Sequence, residues 1–106
     1  MPADPRDADD LARAFAHVAD RLRHLAPARL APVADDVRAQ VRRLAGLALR
    51  AEQRPDQALP DVAATALGDQ VAVLGHDLTQ ALRARPDGAL LDEARQVLVS
   101  LRRAVP

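Results

Sequence analysis

The sequence predicts an all-α protein: an antiparallel four-helix bundle or two stacked helical hairpins. Three observations predict it. First, the 106 residues include 24 Ala, 16 Leu and 10 Val, with no Ile, Tyr or Trp, two Thr, and Phe15 as the one aromatic. Ala and Leu are strong helix formers and the aromatic and β-branched complement of a sheet is thin. Second, four segments carry apolar residues at spacings of three and four, the repeat of one helix face. Third, proline-marked breaks separate the segments: "PARLAP" at 27 to 32, "RPDQALP" at 54 to 60 and "RPDG" at 85 to 88.

The first helix is expected over about 7–26. Leu11, Phe15, Val18, Leu22 and Leu25 draw its apolar stripe. Asp7, Asp9 and Asp10 crowd its start, where carboxylates accept from free N–H groups and meet the positive end of the helix dipole. The second is expected over about 32–54, with Pro32 in the first turn and Val33, Val37, Val41, Leu44 and Ala48 inward. The third is expected over about 60–84, with Leu67, Val71, Leu74, Leu78 and Ala81 inward. The fourth is expected over about 87–105, with Leu91, Ala94, Leu98, Leu101 and Val105 inward. A chain of this length makes a single domain.

The halves resemble each other faintly. "DRLRHLAPARLAPVADDVR" (20 to 38) aligns without a gap on "DLTQALRARPDGALLDEAR" (77 to 95), matching Asp20 with Asp77, Leu25 with Leu82, Asp35 with Asp92 and Arg38 with Arg95. A shared compositional bias also produces such matches.

All 15 basic residues are Arg; Lys, Asn and Ile are absent. The missing residues share AT-rich codons, which points to a GC-rich bacterial genome. With no Cys, disulfides, thiol catalysis and thiolate metal sites are excluded. The acidic opening "MPADPRDADD" lacks the apolar core of a signal peptide, and no apolar run is long enough to span a bilayer, so a cytoplasmic protein without a membrane partner is expected. Net charge is zero, so no global field favours nucleic acid.

Charge sorts by segment. Residues 32–54 carry five Arg, residues 55–82 carry four Asp and no Arg, and residues 83–106 carry five Arg. Asp near helix starts and Arg near helix ends complement the helix dipoles.

Few groups offer chemistry. "HDLTQAL", 76 to 82, resembles the phosphoacceptor box of histidine kinases, a His followed by an acid within a bundle helix. The resemblance implies a phosphotransfer-like domain in which His76 accepts phosphate and Asp77 orients it. Gln80 and Ala81 stand where that box usually has Thr or Asn and then Pro. "DVAATALGDQVAVLGHDL", 61 to 78, resembles a helix-turn-helix, with Leu67 and Gly68 at the turn. Its presumed reading helix carries two Asp and no cation, which opposes DNA binding. His17, Asp20 and His24 share a helix face, but the two histidines are roughly 10 Å apart along the axis, too far for one ion. Glu-x-x-His pairs of bundle di-metal sites are missing, so no metal or other cofactor is expected. One Ser, Ser100, with no glycine elbow, and no phosphate-binding glycine loop leave little for catalysis.

The remaining signal is a stripe of small residues, Ala64, Gly68, Ala72, Gly75 and Thr79, on the third helix. Each interior Gly costs about 1 kcal/mol of helix stability relative to Ala, so either a close helix approach compensates or the third helix bends or breaks at one Gly. With Val73 beside it, the surface of Gly68, Ala72 and Gly75 is a candidate for binding a protein partner or a second copy in a homodimer. Leu49, Val73 and Val99 point away from the inferred core and would mark a partner surface if they cluster. The expectation is a non-enzymatic helical interaction or regulatory module, self-associating through that stripe.

Overall fold

The computed structural model describes residues 4–106. It is a bundle of four long helices with a short fifth: α1 (Pro5–His24), α2 (Pro27–Leu30), α3 (Ala34–Ala51), α4 (Leu67–Ala84) and α5 (Gly88–Ala104). No strand occurs among the described residues.

Local chemistry sets the ends. Asp4 caps α1 by accepting from the Arg6 N–H, and the Asp7 carboxylate reaches back to the Asp4 N–H, a reciprocal capping box. Asp87 caps α5, accepting from the N–H groups of Ala89 and Leu90. α3 stops at Gln53, whose φ of 56° lies in the left-handed region. The Arg54 N–H then donates to the Leu49 carbonyl and the Gln53 N–H to the Arg50 carbonyl. These two bonds form a Schellman ending, with Gln where Gly is usual.

The apolar stripes meet in one core. Phe15, Val18, Val37, Val41, Leu44, Leu67, Val71, Leu78, Val97 and Leu101 are all at most 1 % exposed, so every long helix contributes side chains sealed from water. Leu25, Val33, Leu74 and Ala81, expected inward, pack at the margin as half-buried residues.

Contacts fix the order of helices around the core as α1, α4, α3, α5 and back to α1. The long helices α1 and α3 therefore lie across one diagonal and α4 and α5 across the other, while α3 and α4, also consecutive, are neighbours. α1 and α4 run antiparallel: Arg23 near the end of α1 pairs with Asp69 near the start of α4, and Asp9 near the start of α1 pairs with Arg83 near the end of α4. α3 and α5 are also antiparallel, tied by Arg50 and Glu93. The other two neighbours are parallel. Asp7 pairs with Arg95 while Arg21 donates to the carbonyl of Pro106, so α1 and α5 point the same way. Arg38 and Val41 share a recess with Gln70, and Ala45 and Ala48 share a groove with Leu74 and Asp77, so α3 and α4 do too. The pattern is unchanged when α1 exchanges with α4 and α3 with α5, the exchange that the matched segments describe. The matched pairs Asp35 with Arg38 and Asp92 with Arg95 each form an ion pair at 3.5 Å.

Parallel α3 and α4 require the chain to return along the bundle between them. Residues 54–63 do this without helical structure, and a 3-10 turn, Ala64–Ala66, follows. The third helix thus starts at Leu67, not at the expected 60. The reason is tertiary. The carbonyl of Val62 accepts from Arg38 at 3.0 Å, and that of Pro60 from Gln70 at 3.4 Å, while Leu59 and Val62 rest on the core. An extended segment covers the α3–α4 seam, whereas a helix there would turn those carbonyls into its own ladder.

Candidate functional site

α4 carries most of the residues singled out from sequence, and it runs unbroken from Leu67 to Ala84. Residues 61–78 therefore do not form a helix-turn-helix: Leu67 and Gly68 begin a helix, and an extended segment and one 3-10 turn precede them.

The small-residue stripe faces inward. Gly68 and Gly75 are buried against α1. A Cβ built at Gly75 falls 2.8 Å from the Cβ and 3.1 Å from the Cγ of Phe15. At Gly68 it falls 2.9 Å from both the Ala19 carbonyl oxygen and the Arg23 Cγ. The two glycines let α1 and α4 approach closely, and this pair makes the most extensive helix contact in the protein. Ala72 packs at the margin of the core. The surface expected to receive a second copy is thus filled by α1 of the same chain; of its four residues, only Val73, 59 % exposed, remains outside. Val99 is the other exposed large apolar residue among the described residues, but it sits on α5, diagonal to α4, so the two form no common patch.

Thr79, fully buried in the same seam, donates to the Gly75 carbonyl at 2.8 Å and contacts the His76 carbonyl at 3.0 Å. No buried side-chain polar atom among the described residues lacks a partner.

His76 is exposed midway along α4. Asp77 follows it but turns about 100° around the helix, as successive residues do. It lines a groove of about 180 Å³ with Ala45, Ala48, Leu49, Leu59 and Leu74, between α3, the crossover and α4. The acid and the imidazole therefore face different surroundings. On α1, His17, Asp20 and His24 are all exposed; His24 Nδ1 lies 2.7 Å from the Asp20 carbonyl oxygen, and the Asp20 carboxylate accepts from Arg23.

A second groove, of about 440 Å³, opens between α3 and α5. Arg43, Gly46 and Arg50 line it from α3, Arg54 and Asp56 from the crossover, and Glu93 and Gln96 from α5. Arg50 donates to Glu93 at 2.9 Å across it. Arg43 donates to the neutral Gln40 amide oxygen at 2.9 Å. Nothing lies within 4 Å of a Cβ built at Gly46. Sequence reasoning passed over Gly46. Its signal was present, an interior helical Gly in "RRLAGLALR", but the spacing alone did not separate a glycine needed by the fold from one left open.

No family model, no characterised protein and no solved structure matches this chain. No helix among the described residues is long and apolar enough to cross a membrane.

Proposed function

We propose that this chain is a non-enzymatic helical interaction module that meets its partner on the α3/α5 side of the bundle. The observation that carries the reading is the open groove floored by Gly46. The glycines of α4 are used up in internal packing; this one is presented to the outside. Sequence composition agrees, because the usual nucleophiles are sparse: there is no Cys, no Lys and one Ser, Ser100. Gly68 and Gly75 are buried against α1, which favours looking for the partner face on α3 and α5 rather than on the α4 stripe.

A site-specific photo-crosslinker tests this. Placed at Gln96, beside the groove, it is expected to give a discrete protein adduct in the native host. Placed at His17, on the exposed face of α1, it is expected to give none. Equal adducts at both positions, or none at Gln96, refute the module reading at this face.

One observation favours a second reading. His76 stands exposed at the middle of a bundle helix, where a phosphodonor protein could reach it. Phosphotransfer would form a bond from the unprotonated imidazole nitrogen to the donor's phosphorus as the bond to the donor's own leaving group breaks (acetate, from acetyl phosphate), and the other ring nitrogen would then release its proton to solvent. Acid-labile label on wild type but not on His76→Gln supports it; no label with a phosphodonor such as acetyl phosphate refutes it. The direction taken by Asp77 weighs against it.

A further inference from the structure

Three glycines lie inside the long helices, at 46, 68 and 75. Each lowers helix propensity relative to Ala. For Gly68 and Gly75 the compensation is visible, since α1 occupies the space a Cβ would need. For Gly46 the chain supplies no compensation. It is half-buried, and the space above it is open. A helix position that keeps its backbone bare over an open groove suits a close-approaching external backbone.

The side chains around it say what kind. Arg43, Gly46 and Arg50 follow one another at spacings of three and four, so they share one face of α3, and Arg54 extends that edge beyond the helix end. Arg103, seven residues after Gln96, continues the facing side of α5. The groove itself holds three guanidinium groups against the carboxylates of Asp56 and Glu93. Arg43 is engaged only by a neutral amide among the described residues. Arg54 meets Glu52 at 3.4 Å. The Arg50–Glu93 pair is 60 % and 43 % exposed, so solvent screens it and an incoming carboxylate can exchange with it.

We propose that the α3/α5 groove docks an acidic helix of a protein partner. Its small residues would lie over Gly46 and its Asp or Glu side chains would meet Arg43 and Arg54. This rests on the interaction-module reading and adds the partner's chemistry. A helix fits because the groove runs between two helices and the missing Cβ lets a third backbone come near. Carboxylates fit because the guanidinium fork pairs with them bidentately. A nucleic-acid strand fits less well: the one aromatic, Phe15, is buried, so the groove offers bases no face to stack on. A second copy fits less well because its acidic helix start is engaged: Asp4 and Asp7 close the capping box, and Asp7 and Asp9 pair with Arg95 and Arg83.

The probe is a labelled Ala-based helical peptide with Glu four and seven residues apart on one face. The control is the same peptide with Gln, and the readout is fluorescence anisotropy on the full chain. The Glu peptide is expected to bind about tenfold more tightly than the Gln peptide and to weaken as salt rises from about 50 to about 300 mM. Amide shifts should localise to residues 43–54 and 93–96. Gly46→Leu is expected to weaken binding about tenfold with its circular dichroism unchanged, because the added side chain projects into open space. Arg43→Glu combined with Arg54→Glu should do the same without touching the groove floor. No saturable binding of the Glu peptide, equal affinity for the Gln peptide, or indifference to all these substitutions overturns the proposal. So does a single-stranded DNA oligonucleotide that binds more tightly than the peptide, or a wild-type dimer that Gly46→Leu dissociates. If the peptide fails while the Gln96 crosslink persists, the acidic partner is wrong and the interaction module stands.

Discussion

The same substitution at two glycines should change stability in opposite directions. In a helix interior Ala is better than Gly by about 1 kcal/mol. At Gly46 that gain meets no opposition, since nothing lies within 4 Å of the new methyl group. Gly46→Ala is expected to stabilise by about 0.5–1 kcal/mol and to raise the melting temperature by about 3–8 °C for a domain of this size. At Gly75 the methyl carbon would sit 2.8 Å from the Phe15 Cβ, well inside contact distance. A Cβ is fixed to its backbone, so rotating the Phe15 ring does not relieve the contact. Phe15 is 1 % exposed and has no room to retreat. α1 and α4 must move apart along their main seam. Overpacking of that kind costs about 1–3 kcal/mol, and the helix gain offsets part of it. The net expectation for Gly75→Ala is a loss of about 1–2 kcal/mol, with the melting temperature down by about 5–15 °C. Gly68→Ala should share that sign, because its methyl would meet the Ala19 carbonyl, a backbone atom, at 2.9 Å. Urea and thermal melts followed at the helical ellipticity minimum measure all three. A Gly75→Ala protein as stable as wild type would refute the close-approach account of α1 and α4, and a destabilised Gly46→Ala would show that its space is not open.

Four further outcomes follow from the same contacts. Phe15→Ala removes the one aromatic from the centre of the core and should cost about 3–5 kcal/mol in a denaturant melt; a change under about 0.5 kcal/mol would place it at the surface. Asp87→Ala leaves the N–H groups of Ala89 and Leu90 without their acceptor and should cost about 1 kcal/mol, read the same way. Gln53→Gly relieves a left-handed residue at the end of α3 and should stabilise by about 0.5–1 kcal/mol; a loss would mean that the Gln53 side chain contributes more than its backbone costs. Arg38→Ala frees the Val62 carbonyl, so amide exchange should quicken across 57–66 while α1 keeps its protection; unchanged exchange there would show that apolar contacts alone hold the crossover.

The candidate site was legible in part. The stripe of Gly68, Ala72 and Gly75 was readable as a close helix approach, and the approach exists. Which helix makes it was not readable, because a glycine's missing side chain leaves no mark of its neighbour. The groove at Gly46 escaped notice for the matching reason. Its lining comes from α3 with the crossover that follows it and from α5, which meet only through the fold, as Arg50 meets Glu93 with a separation of 43. His76 was correctly placed within a helix, but only the packing of α4 decides that its imidazole faces water while Asp77 faces the α3 groove.

Local sequence marks the four long helices, though not where the third of them begins. Spacings of three and four among Leu, Val and Phe mark the buried face of each helix, because backbone geometry alone puts those positions in line. Asp87 before α5 and the prolines between segments mark ends, because capping and the missing N–H are local chemistry. Tertiary structure decided how the helices are arranged. An amphipathic stripe says that a face is buried but not against what, so the diagonal placement of α1 to α3 and of α4 to α5, and the parallel run of α3 beside α4, come from packing. The same holds for residues 60–66. Their sequence suits a helix start, yet the chain had to return along the bundle, and the carbonyls of Pro60 and Val62 found donors on Gln70 and Arg38. Local propensity is worth tenths of a kcal/mol per residue, and covering a core seam while giving two carbonyls side-chain donors outweighs it.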